Sequence, residues 1–95
     1  MAKATKFHAV DYLDNPDMIA EYLSEAFLTG NEKLAADALG NVARAKGMSA
    51  VAKDTGLSRE HLYKSLSRQG HPELSTAMKV LNSLDMELVV RPRAA

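Results

Sequence analysis

The chain has 95 residues, enough for one domain around one modest core. It contains no cysteine, which excludes a disulfide framework and a cysteine metal site, and no apolar run long enough for a signal peptide or a membrane span, so a soluble cytoplasmic protein is expected. Formal net charge is zero but unevenly distributed: residues 1–40 carry seven acids against three bases, a net of −4, whereas residues 41–79 carry seven bases against three acids, a net of +4.

Apolar content leans on Ala, Leu, Val and Met with no Trp, which favours helices over sheets. Residues 1–7 read as frayed or weakly extended. Residues 9–13 suit one helical turn with Val10 and Leu13 as apolar contacts. Asn15-Pro16 is a helix start: Asn15 caps, Pro16 takes the first helical position, and Asp17 suits the positive end of the dipole. This helix is expected over residues 16–29, with Ile19, Leu23, Ala26 and Phe27 on one face and Met18 and Tyr22 flanking it. Gly30 ends it, and Asn31 is placed to cap a second helix over residues 32–45. Leu34, Ala35, Ala38, Leu39 and Val42 make the second helix's apolar stripe. Arg44 and Lys46 stand at its far end, where they complement the helix dipole, contact phosphate, or do both. Gly47 stops it.

Residues 48–66, MSAVAKDTGLSREHLYKSL, read as two short helices joined by a tight turn. Val51, Ala52 and Thr55 face inward on the first. Gly56 suits the sharp turn because glycine takes a left-handed conformation without steric cost. Leu57 plugs the corner, and Ser58 is placed to cap the second helix, residues 59–67, which buries Leu62 and Leu66. Small Ala52 falls where two steeply crossing helices touch. These are the marks of a helix-turn-helix whose second helix enters the DNA major groove. An ordinary helical hairpin shares some of them. The positive charge collected around the stretch favours phosphate contact.

Gln69-Gly70-His71-Pro72 is a turn. Ser75 is expected to cap a fifth helix reaching Leu84, with Ala77, Met78, Leu81 and Leu84 inward. Residues 86–91, MELVVR, are short and rich in β-branched residues, and read as a strand broken by Pro92. A lone strand needs a partner: the N-terminal segment, the same strand in a second subunit, or another protein. The alternative is an extended tail packing Leu88 and Val90 on the bundle.

Several stretches together resemble the HigA-like addiction-module antidote proteins. They are Tyr22-Leu23, Ala38-Leu39-Gly40, Ala43-Arg44-Ala45-Lys46-Gly47-Met48-Ser49, Thr55-Gly56-Leu57-Ser58-Arg59-Glu60, Leu62-Tyr63-Lys64, Leu66-Ser67, Pro72 and Lys79-Val80-Leu81. The resemblance spans roughly residues 12–90 and is most specific over residues 47–67. It implies an all-α, lambda-repressor-like (Cro/C1-type) bundle of about five helices with a helix-turn-helix and a short C-terminal strand. The expected organisation is a single DNA-binding domain over residues 1–95, with 1–14 as an N-terminal segment and 86–95 as strand and tail. It further implies an antitoxin that neutralises a RelE/ParE-like toxin and represses its own operon. Three positions depart from the family pattern. His71 stands for Asn in Gly-Asn-Pro. Ala50 stands for a glutamine, which removes one polar DNA contact. Leu84-Asp85-Met86 stands for Leu-Gly-Leu, which loses a glycine cap and changes the exit angle slightly.

Within that frame Ser58, Arg59, Glu60, Tyr63, Lys64 and Ser67 are the outward, base-reading candidates. Arg59 suits guanine and Glu60 a cytosine amino group, each good bidentate contact discriminating by roughly 1–3 kcal/mol. Ser58 is a cap first and a contact second. Tyr63 either bonds a phosphate or lies against the bundle. Ser49, Lys53, Arg68 and Lys46 are phosphate candidates, with Lys64 serving there as well, and such contacts position without specifying. No HExxH, GxSxG or phosphate-loop pattern appears and the three histidines are scattered, so neither an enzyme nor a cofactor or metal site is expected. Asp14, Asp17, Glu21 and Glu25 form an acidic helical side, either merely solvated or suited to a basic RNA-cleaving toxin. A single helix-turn-helix makes a small interface, so a homodimer on double-stranded DNA half-sites is expected. The competing readings are a stand-alone prophage regulator and a toxin-binding module that does not bind DNA.

Overall fold

The computed structural model describes residues 15–94, which form five α-helices in chain order. The turn expected at residues 9–13, with Val10 and Leu13, lies outside them, as does Asp14. Helix α1 is Pro16–Leu28, α2 Glu32–Lys46, α3 Met48–Thr55, α4 Arg59–Ser65 and α5 Leu74–Ser83.

The caps follow from side-chain chemistry. Asn15 accepts from the Met18 amide, and Asn31 accepts from the amides of Lys33 and Leu34. Each satisfies first-turn donors that have no partner within the helix. The expected Ser75 cap is not formed. Helix α5 begins two residues earlier than that cap implies, at Leu74, and Glu73 stands at the cap position without a side-chain bond to the helix. The Ala77 amide bonds the Glu73 carbonyl, so the first turn already encloses Ser75.

Helix α2 is the hub. It packs against α1, α3, α4 and α5, while α3 also packs on α4 and α5. That position explains why α2 is buried well beyond the expected stripe. Ala36, Gly40 and Ala43 are buried alongside Ala38, Leu39 and Val42, whereas Leu34 and Ala35 are only half-buried. Small side chains let four neighbours approach one helix. The core joins Ile19 and Leu23 of α1 to Val51 of α3, Leu62 of α4, Leu66, and Val80 and Leu81 of α5.

Of the residues expected inward on α5, Leu81 lies in the core and Ala77 and Leu84 pack against it, but Met78 does not, and the buried face takes in residues the expectation left out. Thr76, Val80, Leu81 and Ser83 are buried, Ala77 and Leu84 are half-buried, and Met78 is 54% exposed. Two of the buried residues are polar, which a search for apolar spacing passes over.

After α5 the chain turns in a Schellman arrangement. The Met86 amide bonds the Leu81 carbonyl at 2.8 Å, and the Asp85 amide bonds the Asn82 carbonyl at 3.0 Å. Asp85 has φ 59°, the left-handed conformation usually given to glycine. The expected loss of the cap therefore does not occur, because a short polar side chain tolerates this region better than most. Residues 86–91 are not a strand, and no strand occurs among the described residues. The β-branched residues form an arm without regular secondary structure, and no neighbouring backbone among the described residues completes a ladder. Nor does the arm bury its apolar residues as a packed tail: Leu88 is 48% and Val90 94% exposed.

Candidate nucleic-acid interface

Helices α3 and α4 are joined by Gly56, Leu57 and Ser58. Gly56 has φ 77°, and its amide bonds the Ala52 carbonyl. The Thr55 hydroxyl donates to the Val51 carbonyl at 2.8 Å and accepts from the Leu57 amide at 3.2 Å, which fixes the start of the turn. Ser58 closes it by accepting from the His61 amide at 2.9 Å. Leu62 and Leu66 are fully buried and pin α4 to the bundle.

The other side of α4 is open. Ser58, Arg59, Glu60, His61 and Lys64 are exposed. Tyr63 is 43% exposed, and the Arg59 guanidinium stands 6.0 Å from its ring centroid. An exposed contact of this kind is worth about 0.5–1 kcal/mol, enough to bias where Arg59 points. Ser67 is half-buried and follows the helix, whose last residue is Ser65 and not Ser67, and its hydroxyl donates to the Lys64 carbonyl at 3.2 Å. Of the phosphate candidates, Ser49, Lys53 and Arg68 are exposed. Ser49 is in the first turn of α3, whose cap, Gly47, makes no side-chain bond to it.

Lys46 is placed differently. Its ammonium donates to the Ser83 backbone carbonyl and lies 3.3 Å from Asp54 Oδ2, while the Ser83 hydroxyl donates to the same oxygen at 2.9 Å. One cation thus fastens the C-terminal ends of α2, α3 and α5, where the helix dipoles favour positive charge. Asp54 in the last turn of α3 runs against its own dipole. The Ser83 hydroxyl, and after it the Lys46 ammonium, hold its carboxyl below the usual carboxylate range. Arg44 is also engaged: its guanidinium donates to Asn41 Oδ1 at 2.6 Å, and the Asn41 amide donates to the Tyr22 hydroxyl at 2.9 Å, linking α2 to α1. Sequence reasoning missed Asp54, Ser83 and Asn41. The available signal was an acid in the last turn of a helix, where the dipole disfavours it.

The charges segregate. Lys53, Arg59, Lys64 and Arg68 are exposed on and around α3 and α4, outnumbering the exposed Asp54 and Glu60 there. Asp17, Glu21 and Glu25 are exposed on α1, which contains no basic residue. Among the described residues no cluster of His, Asp and Glu is arranged to hold a metal ion, and no helix is long and apolar enough to cross a membrane.

Residues 3–92 match a protein family described as “probable addiction module antidote protein”. An uncharacterized protein of Haemophilus influenzae is 41% identical over 85 residues, covering 90% of this chain and 88% of its own length. No solved structure matches the chain.

Proposed function

The chain belongs to the addiction module antidote family, an antitoxin with a toxin for its partner, and from that premise we propose that it also binds its own operator and represses the operon. In this reading residues 1–95 are a single domain of the HigA-like, lambda-repressor-like kind. Helices α3 and α4 act as the helix-turn-helix, and a homodimer presents two copies of α4 to successive half-sites. The observation that carries it is the open basic face of α4, Arg59 and Lys64 with Tyr63 between them, on a helix anchored by two fully buried leucines. Arg59 and Glu60 read bases, while Ser49, Lys53, Lys64 and Arg68 meet phosphates. A mobility shift on DNA upstream of the gene, across a salt series with random competitor, tests this. Saturable binding that resists competitor and weakens steeply with salt is expected. Binding equal to that of random DNA leaves only the toxin-neutralising role.

The acidic side of α1 supports a second element of the proposal. Asp17, Glu21 and Glu25 recur every four residues, so each adjacent pair costs the helix about 0.2–0.5 kcal/mol in repulsion. A face kept at that cost suits a basic partner, and a RelE/ParE-like toxin that must attract RNA is one. Reversing all three charges is expected to abolish toxin binding and leave operator binding intact. Unchanged toxin affinity would assign the toxin to another surface.

A further inference from the structure

The arm after α5 carries a pattern that the antitoxin role does not use. Residues 87–91 belong to no helix or strand, and their backbone amides and carbonyls make no hydrogen bond among the described residues. Exposure rises along the arm, from half-buried Met86 to Leu88 at 48%, Val89 at 72% and Val90 at 94%. The even positions, Met86, Leu88, Val90 and Pro92, are apolar. The odd positions, Asp85, Glu87, Arg91 and Arg93, are charged on either side of Val89. Two acids precede Val89 and two arginines follow it at mirrored distances.

We propose that this arm pairs antiparallel with the same arm of a second copy, in register about Val89. The proposal rests on the dimer reading above and supplies its interface. With Val89 on the two-fold axis, Glu87 stands opposite Arg91 of the second copy, and this pairing occurs twice; Asp85, held in its left-handed turn, lies outside the ladder. Shifting either strand by one residue sets Arg91 against Leu88 or Met86, and shifting by two sets Glu87 or Arg91 against Val89, so the Glu87–Arg91 pair is lost. The register is therefore set by charge complementarity. Leu88 and Val90 then face each other on the even side, and β-branched Val89 meets its own copy on the odd side. The pairing satisfies the open backbone groups of an edge that otherwise invites indiscriminate association. A bare two-stranded ribbon is marginal in water. Here a groove of about 520 Å³ lies between the arm and α1, lined on the α1 side by Ala20, Ser24, Phe27 and the 70% exposed Leu28, and it offers the ribbon apolar cover.

Cysteine crosslinking on the full chain tests the register, since the natural sequence has no cysteine. Directly opposed residues in an antiparallel pair have Cα atoms about 4.5–5.5 Å apart, within disulfide reach. Val89→Cys is expected to form a disulfide dimer readily under diamide. Glu87→Cys alone and Arg91→Cys alone are expected not to, because each lies about 13 Å from its own copy. Mixing those two variants is expected to yield the crosslinked pair. Glu87→Arg is expected to weaken dimerisation about tenfold, and Glu87→Arg with Arg91→Glu to restore it. If the wild type sediments as a dimer but Val89→Cys crosslinks no faster than Glu87→Cys, the dimer stands and this interface is wrong. A double exchange as weak as the single one overturns the register. A wild type monomeric at about 50 μM overturns the interface and the dimer together, as does a monomer whose residue 87–91 amides resist hydrogen exchange through pairing within one chain.

Discussion

Gly40 in α2 lies against the backbone carbonyl of Leu66, at the foot of α4, so closely that a Cβ on Gly40 would fall well inside van der Waals contact with that oxygen. Mid-helix Gly→Ala ordinarily gains about 1 kcal/mol in helix propensity. Here the obstructing atom is backbone and cannot rotate away, and overpacking typically costs about 1–3 kcal/mol. Gly40→Ala is expected to destabilise the fold by about 2 kcal/mol, lowering the melting temperature by roughly 10 °C. A thermal melt at or above the wild-type midpoint would show that the close approach does not constrain the fold.

Asp54 makes stability depend on pH. Its carboxyl is held below the usual range in the folded state, first by the Ser83 hydroxyl and then by Lys46. The unfolded chain therefore takes up that proton first as pH falls. The stabilisation is complete above the ordinary carboxylate value, about pH 4, and is lost as pH drops through the folded value. Wild type is expected to exceed Asp54→Asn in stability near pH 7 and to converge with it below about pH 4. Ser83→Ala is expected to move the Asp54 titration, followed by carboxyl NMR, upward.

Asp85 carries a backbone cost that its side chain only partly relieves. Asp85→Gly is expected to stabilise the fold by about 0.5–1 kcal/mol. Asp85→Val, β-branched at φ 59°, is expected to destabilise it by about 1–2 kcal/mol. Both changes remove the carboxylate, so opposite signs in urea unfolding report the backbone and not the charge.

The salt dependence of operator binding should sort the cations. Lys53→Ala and Arg68→Ala are each expected to reduce the slope of log affinity against log salt by about 1. Lys46→Ala is expected to leave the slope unchanged and to lower stability, because its ammonium is engaged by Asp54 and the Ser83 carbonyl. A slope change at Lys46 equal to that at Lys53 would place its ammonium on the DNA.

Local chemistry fixed much of this protein in its sequence. Asn15-Pro16, Asn31 and Ser58 announce helix starts because each carries a side chain that satisfies first-turn amides, and all three act as caps. Leu62 and Leu66, four apart, had to share a face, and both are fully buried. The polarity of the charge distribution was also legible, since it is a property of composition. Tertiary structure decided the rest. That α2 is the hub could not be read from its own residues, so the burial of Ala36, Gly40 and Ala43 was missed. The inward face of α5 is set by α2 and α3, which take Thr76, Val80 and Ser83 and leave Met78 outside. Lys46 reads as one more basic residue until folding brings Asp54 and Ser83, 8 and 37 residues away, to its ammonium. The β-branched arm became no strand, because a ladder needs a second backbone and local propensity cannot supply one. Sequence determines what each short segment prefers; contacts between segments distant in the chain decide which faces are buried and which charges stay free.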